Sequence, residues 1–95
     1  MFKSRKPVHP LDLYLEIYND LNFVAVALSN SIALLYKKAD TRFPVATIKS
    51  SFVTENYEPT KESWWIIKYR NDDLSDEGPV ETREAAIHRA VETLT

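Results

Sequence analysis

Residues 62–70 read Glu-Ser-Trp-Trp-Ile-Ile-Lys-Tyr-Arg, and this stretch decides the fold. Along one side of a pleated strand its side chains are all apolar, namely Trp65, Ile67 and Tyr69. The other side begins apolar at Trp64 and ends cationic at Lys68 and Arg70. Aromatic and β-branched residues favour strands. We therefore predict a strand whose first side faces the core and whose second side reaches water near Lys68.

Composition limits both the architecture and the chemistry. The chain has 95 residues, 44% of them hydrophobic and 27% charged, which is typical of one globular domain spanning residues 1–95. Gly78 is the only glycine, and this excludes a glycine-rich phosphate loop. The absence of cysteine excludes disulfides, cysteine-bound zinc and thiol catalysis, and it favours a cytoplasmic location.

Charge and hydropathy narrow the range of partners. The longest stretch without a charge, residues 21–36, is shorter than the ~20 apolar residues of a membrane span and contains polar side chains. We therefore expect a soluble protein with no membrane partner. The formal net charge of −2 disfavours a dedicated nucleic-acid binder.

The amino-terminal part is predicted to form a flexible basic arm, residues 1–9, followed by an amphipathic helix over residues 11–22. The apolar positions recur at helical spacing: Leu11, Tyr14, Leu15, Tyr18 and Leu21. Asp12, Glu16 and Asp20 are four residues apart and would form an acidic stripe on the opposite side of this helix. Such a stripe is usually just the solvated side, but it could dock a basic partner.

Residues 23–38 allow two interpretations. As a hairpin, strands 23–28 and 31–37 flank a Ser29-Asn30 turn; as a helix, the apolar residues Val24, Leu28 and Leu35 share one side. The β-branched residues and the Ser-Asn-Ser sequence favour the hairpin, although the helix stays open. A further strand is predicted over residues 43–54, followed by a hairpin loop over residues 55–61.

The carboxyl-terminal part is predicted to contain an exposed acidic loop over residues 71–81 and then a helix with Thr82 as N-cap and Glu84 in its first turn. The expected fold class is α+β, an antiparallel meander of three or four strands with an N-terminal and a C-terminal helix packed on one face. The predicted core comprises Tyr18, Leu21, Leu34, Ile48, Phe52, Trp65, Ile67, Tyr69, Ile87 and Val91.

The chain resembles two groups of known proteins, one in topology and one in general character. The predicted order of a helix, three strands and a helix resembles that of double-stranded RNA-binding domains. Those domains carry a basic cluster where this chain has Glu81-Thr82-Arg83-Glu84, so the resemblance is limited to topology. The meander followed by residues 82–90 also resembles small phage and mobile-element proteins in general character.

No catalytic or metal-binding motif is evident. The histidines, His9 and His88, lie in no recognisable motif, and His88 is expected at the solvated margin of the last helix. The acidic loop fails the calcium-loop pattern because Leu74 occupies a ligand position and Pro79 directly follows Gly78. We predict no enzyme, no metal and no cofactor.

The outer face of the sheet carries the functional hypothesis. Five side chains are predicted to point away from the helices: Trp64, Lys68, Arg70, Lys49 and Lys37. Tryptophan and arginine dominate protein-binding sites, so the leading hypothesis is an inhibitor, adaptor or accessory factor that binds another protein. The alternative is a nucleic-acid-binding module on the same face, since aromatic rings stack bases and cations neutralise phosphates. A third possibility is a homodimer formed through an exposed edge strand or the outer face.

Overall fold

A single antiparallel sheet runs through the computed structural model, which describes residues 13–55 and 58–95, with the side chains of residues 51–63 outside the description. The elements are β1 (Leu15–Asn19), β2 (Phe23–Ser29), β3 (Ile32–Lys37), β4 (Ala46–Glu55), β5 (Glu58–Tyr69), β6 (Glu77–Val80) and the helix α1 (Arg83–Leu94). The six strands lie side by side in chain order, and each neighbouring pair is antiparallel. The sheet is therefore a meander with β1 and β6 at its edges.

The predicted fold class is wrong in strand number and helix number. The described part of the chain has six strands rather than three or four, and residues 15–19 of the predicted N-terminal helix form the strand β1. The topological resemblance to double-stranded RNA-binding domains is lost with the N-terminal helix. The expected arm, residues 1–9, lies outside the described residues.

A β-bulge interrupts the regular alternation of side chains in β1. In the pairing of β1 with β2, Glu16 lies opposite Val26 and Tyr18 lies opposite Ala25, so Ile17 is an extra residue. Because of the bulge, the neighbours Ile17 and Tyr18 both pack against the core, and the alternation expected of a strand is interrupted. Leu21, a predicted core residue, is instead 88% exposed in the turn after β1.

The strand β6 occupies part of the segment predicted as an exposed loop. Val80 pairs with Trp65 and Glu77 pairs with Ile67 across an irregular register. Gly78 has φ 127°, a conformation that favours glycine, and it precedes Pro79 through a cis peptide bond. The Gly-Pro sequence reads as a turn but here lies within a short edge strand.

Three local predictions are confirmed. Residues 23–38 form a hairpin, with Val24 opposite Tyr36 and Val26 opposite Leu34. The side chains of β5 alternate as predicted between buried and outward positions. The helix α1 follows Thr82, whose hydroxyl accepts a hydrogen bond of 3.1 Å from the backbone N–H of Ala85.

The main core lies between α1 and one face of the sheet. Its buried members include five predicted residues, Ile48, Trp65, Ile67, Tyr69 and Ile87, while Tyr18 and Val91 pack at its margin. The small residues Ala86 and Ala90 are buried at the contact and let the helix lie close to the sheet. A second apolar cluster, Val24, Val26 and Tyr36 with Leu34, lies on the opposite face, and the Phe52 side chain lies outside the description. Within residues 13–55 and 58–95, no helix has the length and apolar character needed to cross a membrane.

Candidate protein-binding surface

The outer side of β5 presents cations next to half-buried apolar residues. Trp64 and Ile66 are half-buried, whereas Lys68 and Arg70 are exposed. Lys49 of β4 pairs with Ile66, and residues paired across strands lie on the same face of a sheet. Lys49 therefore points outward beside the β5 side chains, as the sequence predicts.

Phe43 extends this surface from the loop between β3 and β4. Its ring is 54% exposed, and the guanidinium carbon of Arg70 lies 4.8 Å from the ring centroid, a cation–π contact. Together with Pro44, Thr47, Lys68 and other neighbours, these two residues line a depression of about 370 Å³. We name the set Phe43, Lys49, Trp64, Lys68 and Arg70 the basic–aromatic strip.

Local hydrogen bonds hold the loop that carries Phe43. The Asp40 carboxylate accepts bonds of 2.9 Å from both Nε and a terminal nitrogen of Arg42, and one of 3.1 Å from the Arg42 backbone. These bonds, led by the side-chain pair, hold the pKa of Asp40 well below its usual range, and the charge of Arg70 adds to the effect. After the loop, the Val45 N–H donates to the Leu35 carbonyl at 2.7 Å. These hydrogen bonds stabilise the loop that holds Phe43 at the surface.

Lys37 does not belong to the basic–aromatic strip. It pairs with Phe23, a residue of the main core, so it lies on the helix side of the sheet. There it lines a depression of about 580 Å³ together with Lys38, Leu94 and Thr95 at the end of α1. The last turn of α1 contains no basic residue, and Lys37 supplies a positive charge on the side of the sheet where the negative end of the helix dipole lies.

Glu16 and Asp20 of the predicted acidic stripe do not share one side of a helix, because residues 15–19 form the strand β1. Glu16 lies on the strand β1, and Asp12 lies outside the description. Asp20 lies in the following turn, where it accepts a 2.5 Å hydrogen bond from the Tyr18 hydroxyl. It also accepts two of 2.7 Å from the backbone N–H groups of Asn22 and Phe23. The Tyr18 bond, followed by these backbone bonds and the charge of Lys38, lowers the pKa of Asp20.

The residues considered for catalysis or metal binding occupy separate positions. The His88 ring stands edge-on to Tyr18, with 5.3 Å between ring centroids and an interplanar angle of 81°. His9 lies outside the described residues. Among the residues that the structure describes, no three or more histidine, aspartate or glutamate side chains are grouped to hold a metal ion.

Sequence reasoning missed Phe43 as a surface residue. The signal was available, since Phe43 follows the polar sequence Lys38-Ala39-Asp40-Thr41-Arg42 and precedes Pro44. We predicted that residues 43–54 would be one strand, but β4 begins only at Ala46. Phe43 therefore lies in the loop before β4, where the Arg70 side chain contacts its ring.

Comparison with protein-family models, with curated proteins and with solved structures found no significant match.

Proposed function

We propose that this protein is a small non-enzymatic module that binds an acidic surface of another protein through the basic–aromatic strip. It would act as an inhibitor, adaptor or accessory factor in the cytoplasm, a location supported by its lack of cysteine. The observation that carries the proposal is Phe43, an aromatic side chain that remains 54% exposed while Arg70 stacks on it.

The chemistry of the strip fits a binding site. Aromatic residues and arginine supply most of the energy in protein interfaces, and burial of a large apolar side chain contributes about 1.5–3 kcal/mol. None of the ion pairs between described residues uses Lys49, Lys68 or Arg70. These cations can therefore pair with carboxylates of a partner. The complementary surface would carry acidic side chains around an apolar depression that receives Phe43.

The charges around the strip favour a protein over a nucleic acid. Asp72 lines the same depression as Phe43 and Lys68, and Asp40 stands in the Phe43 loop. A regularly spaced phosphate backbone would meet these carboxylates as well as the cations, whereas a protein surface can place its acidic groups selectively. The net charge of −2 also disfavours binding to a polyanion such as a nucleic acid.

Affinity capture from a lysate of the source cells tests the proposal. The wild type should retain a protein partner that Phe43→Ser and Lys68→Glu lose, because the first removes the apolar anchor and the second reverses a charge. Lys37→Glu is the matched control, since it makes the same charge change at an exposed lysine on the other face. If Lys37→Glu abolishes capture and Lys68→Glu does not, the strip is not the site.

A nucleic-acid titration separates the alternative. Fluorescence anisotropy with single-stranded and duplex oligonucleotides would be measured at several salt concentrations. We expect no saturable binding near physiological salt. Binding with a log–log salt slope of about one per neutralised phosphate, lost in Lys68→Glu, would replace the protein-binding proposal with a nucleic-acid interface.

A further inference from the structure

The strand β1 forms an exposed edge of the sheet. Among the described residues its strand neighbour is β2, and its other side has none. Apolar side chains are exposed here: Leu13 is 61%, Tyr14 is 38% and Leu15 is 72% accessible. Exposed apolar residues beside an open strand edge indicate an interaction surface.

The backbone of an edge strand determines what can bind there. In an antiparallel strand, about half of the N–H and C=O groups point away from the paired neighbour and can bond another extended strand. Edge strands are usually protected by lysine, proline or a bulge. The sequence of β1 is Leu-Glu-Ile-Tyr-Asn, so its only such feature is the bulge at Ile17.

The charges beside β1 are self-complementary. The Asn19 side-chain amide nitrogen donates to the Glu16 carboxylate at 3.1 Å, and the Lys38 ammonium donates to the side-chain oxygen Oδ1 of Asn19. Glu16 and Asn19 pair with Val26 and Val24, which both belong to the outer cluster, so this polar row lies on the outer face. It runs from an anion near the start of β1 to a cation near its end.

We propose that β1 pairs antiparallel with β1 of a second copy of this chain, which forms a symmetric dimer with one continuous sheet. Antiparallel pairing places Glu16 of each copy near Lys38 of the other, so two charge pairs form across the symmetry axis. The same pairing places the exposed apolar side chains at the start of each β1 opposite the turn after β1 of the other copy, where Leu21 is 88% exposed. This inference concerns a different surface from the basic–aromatic strip and is independent of the proposed function.

The opposite edge makes this dimer a closed one. The strand β6 has four residues and contains Pro79, which cannot donate a ladder hydrogen bond. A β1–β6 contact that would propagate into a filament is therefore disfavoured, and the two-fold β1–β1 contact remains. One short strand pair falls below the ~1,000 Å² of a stable specific interface. The dimer should be weak and concentration-dependent.

Sedimentation velocity between about 10 µM and about 1 mM tests the proposal, a range chosen for a weak complex. The wild type should shift from monomer towards dimer, and Leu15→Lys should weaken dimerisation by about tenfold because it removes an apolar side chain from the contact. Phe43→Lys is the matched control, an exposed apolar residue replaced in the same way. It lies beside β4, three strand spacings or about 14 Å from β1, and it should dimerise like the wild type.

A charge exchange tests the orientation of the pair. Glu16→Lys and Lys38→Glu should each weaken the dimer, because each places like charges across the axis. The double variant should restore it. Circular dichroism would establish that the variants are folded. If Leu15→Lys does not fold, the exposed Glu16→Lys variant is used in its place. A wild type that stays monomeric at about 1 mM would overturn the proposal, as would a dimer unaffected by Leu15→Lys or one that the double variant fails to restore.

Discussion

The two edge strands of the sheet, β1 and β6, differ in how their unpaired sides are protected. Both β1 and β6 have a side without a strand neighbour in the described part of the chain. The strand β6 is bound by side chains from its neighbours and has proline at an edge position, whereas β1 has the exposed Leu15 and an open backbone edge. This difference indicates that β6 closes the fold and that β1 is available for contact.

Glu77 is the residue that fastens β6. Its carboxylate accepts hydrogen bonds from the Tyr69 hydroxyl at 2.5 Å and from the Thr93 hydroxyl at 2.7 Å. Arg89 lies 4.0 Å from the other carboxylate oxygen. One side chain therefore connects β6 to β5 and to α1. Burial, together with the Glu77 bond, raises the pKa of Tyr69 to about 12.

At the β1 edge, the comparable carboxylate has only local partners. Asp20 bonds with Tyr18, Asn22 and Phe23, all within three residues in the sequence. It shapes the β1–β2 turn but connects no distant element by hydrogen bond. A network that joins three elements resists loss of one strand more than a turn does, so mutations should have larger effects on stability at the β6 edge.

The largest effect is expected for Gly78→Ala. A Cβ at this position would lie 2.8 Å from the Trp65 carbonyl oxygen, and φ 127° is unfavourable for alanine. Backbone strain and the steric clash together should lower the free energy of unfolding by about 3 kcal/mol. Urea denaturation followed by tryptophan fluorescence measures this loss, with the exposed Ser75→Ala in the preceding loop as control. A loss equal to that of the control would mean that β6 does not constrain the fold.

Glu77→Ala should have the next largest effect. It leaves the Tyr69 hydroxyl, on a buried residue, without its acceptor, and an unsatisfied buried donor costs about 1–3 kcal/mol. The same denaturation experiment measures the change, and Glu92→Ala, which removes an exposed glutamate from α1, is the control. Equal stability of the two variants would contradict the role of Glu77 in fastening β6.

A smaller effect is expected from pH. Desolvation raises the pKa of Glu77, but the hydrogen bonds from Tyr69 and Thr93 and the charge of Arg89 outweigh it and lower the pKa below its usual value. The unfolded chain then binds more protons in acid than the folded chain does. The stabilisation is complete above the ordinary glutamate pKa of about 4.3 and is lost as pH falls through the lowered value. Glu77→Gln should show a shallower loss of stability below about pH 4 than the wild type; parallel curves would contradict this assignment.

The smallest effect on stability is expected for Leu15→Lys. The side chain is 72% exposed, and exposed substitutions usually change the free energy of unfolding by less than about 0.5 kcal/mol. The measurement is made at low protein concentration, where a weak dimer does not contribute. A loss comparable to that of Glu77→Ala would show that the β1 edge is as integral to the fold as β6, and the contrast between the edges would fail.

The sequence predicted the surface better than it predicted the sheet. Trp64, Lys68, Arg70 and Lys49 share the outer face as expected, because alternation within two paired strands follows from local geometry. Lys37 was placed on the wrong face, since α1 covers the side of β3 that carries Ala33 and Leu35 and not the side that carries Leu34. Phe43 was missed because its exposure depends on where β4 begins and on Arg70 from a neighbouring strand.

Sequence alone was enough to predict the part of β5 that contains the two tryptophans, the hairpin of β2 and β3, and the helix α1 with its Thr82 cap. In each of these, periodicity and local hydrogen bonding act over a few residues. Only the tertiary structure decided that β1 and β6 are strands. Their patterns are interrupted by the bulge at Ile17 and by Gly78-Pro79, and their backbone groups find partners only in β2 and β5. Strand pairing with a neighbour outweighs local preference. The conformation of the two edge strands is therefore set by the sheet on which they pair.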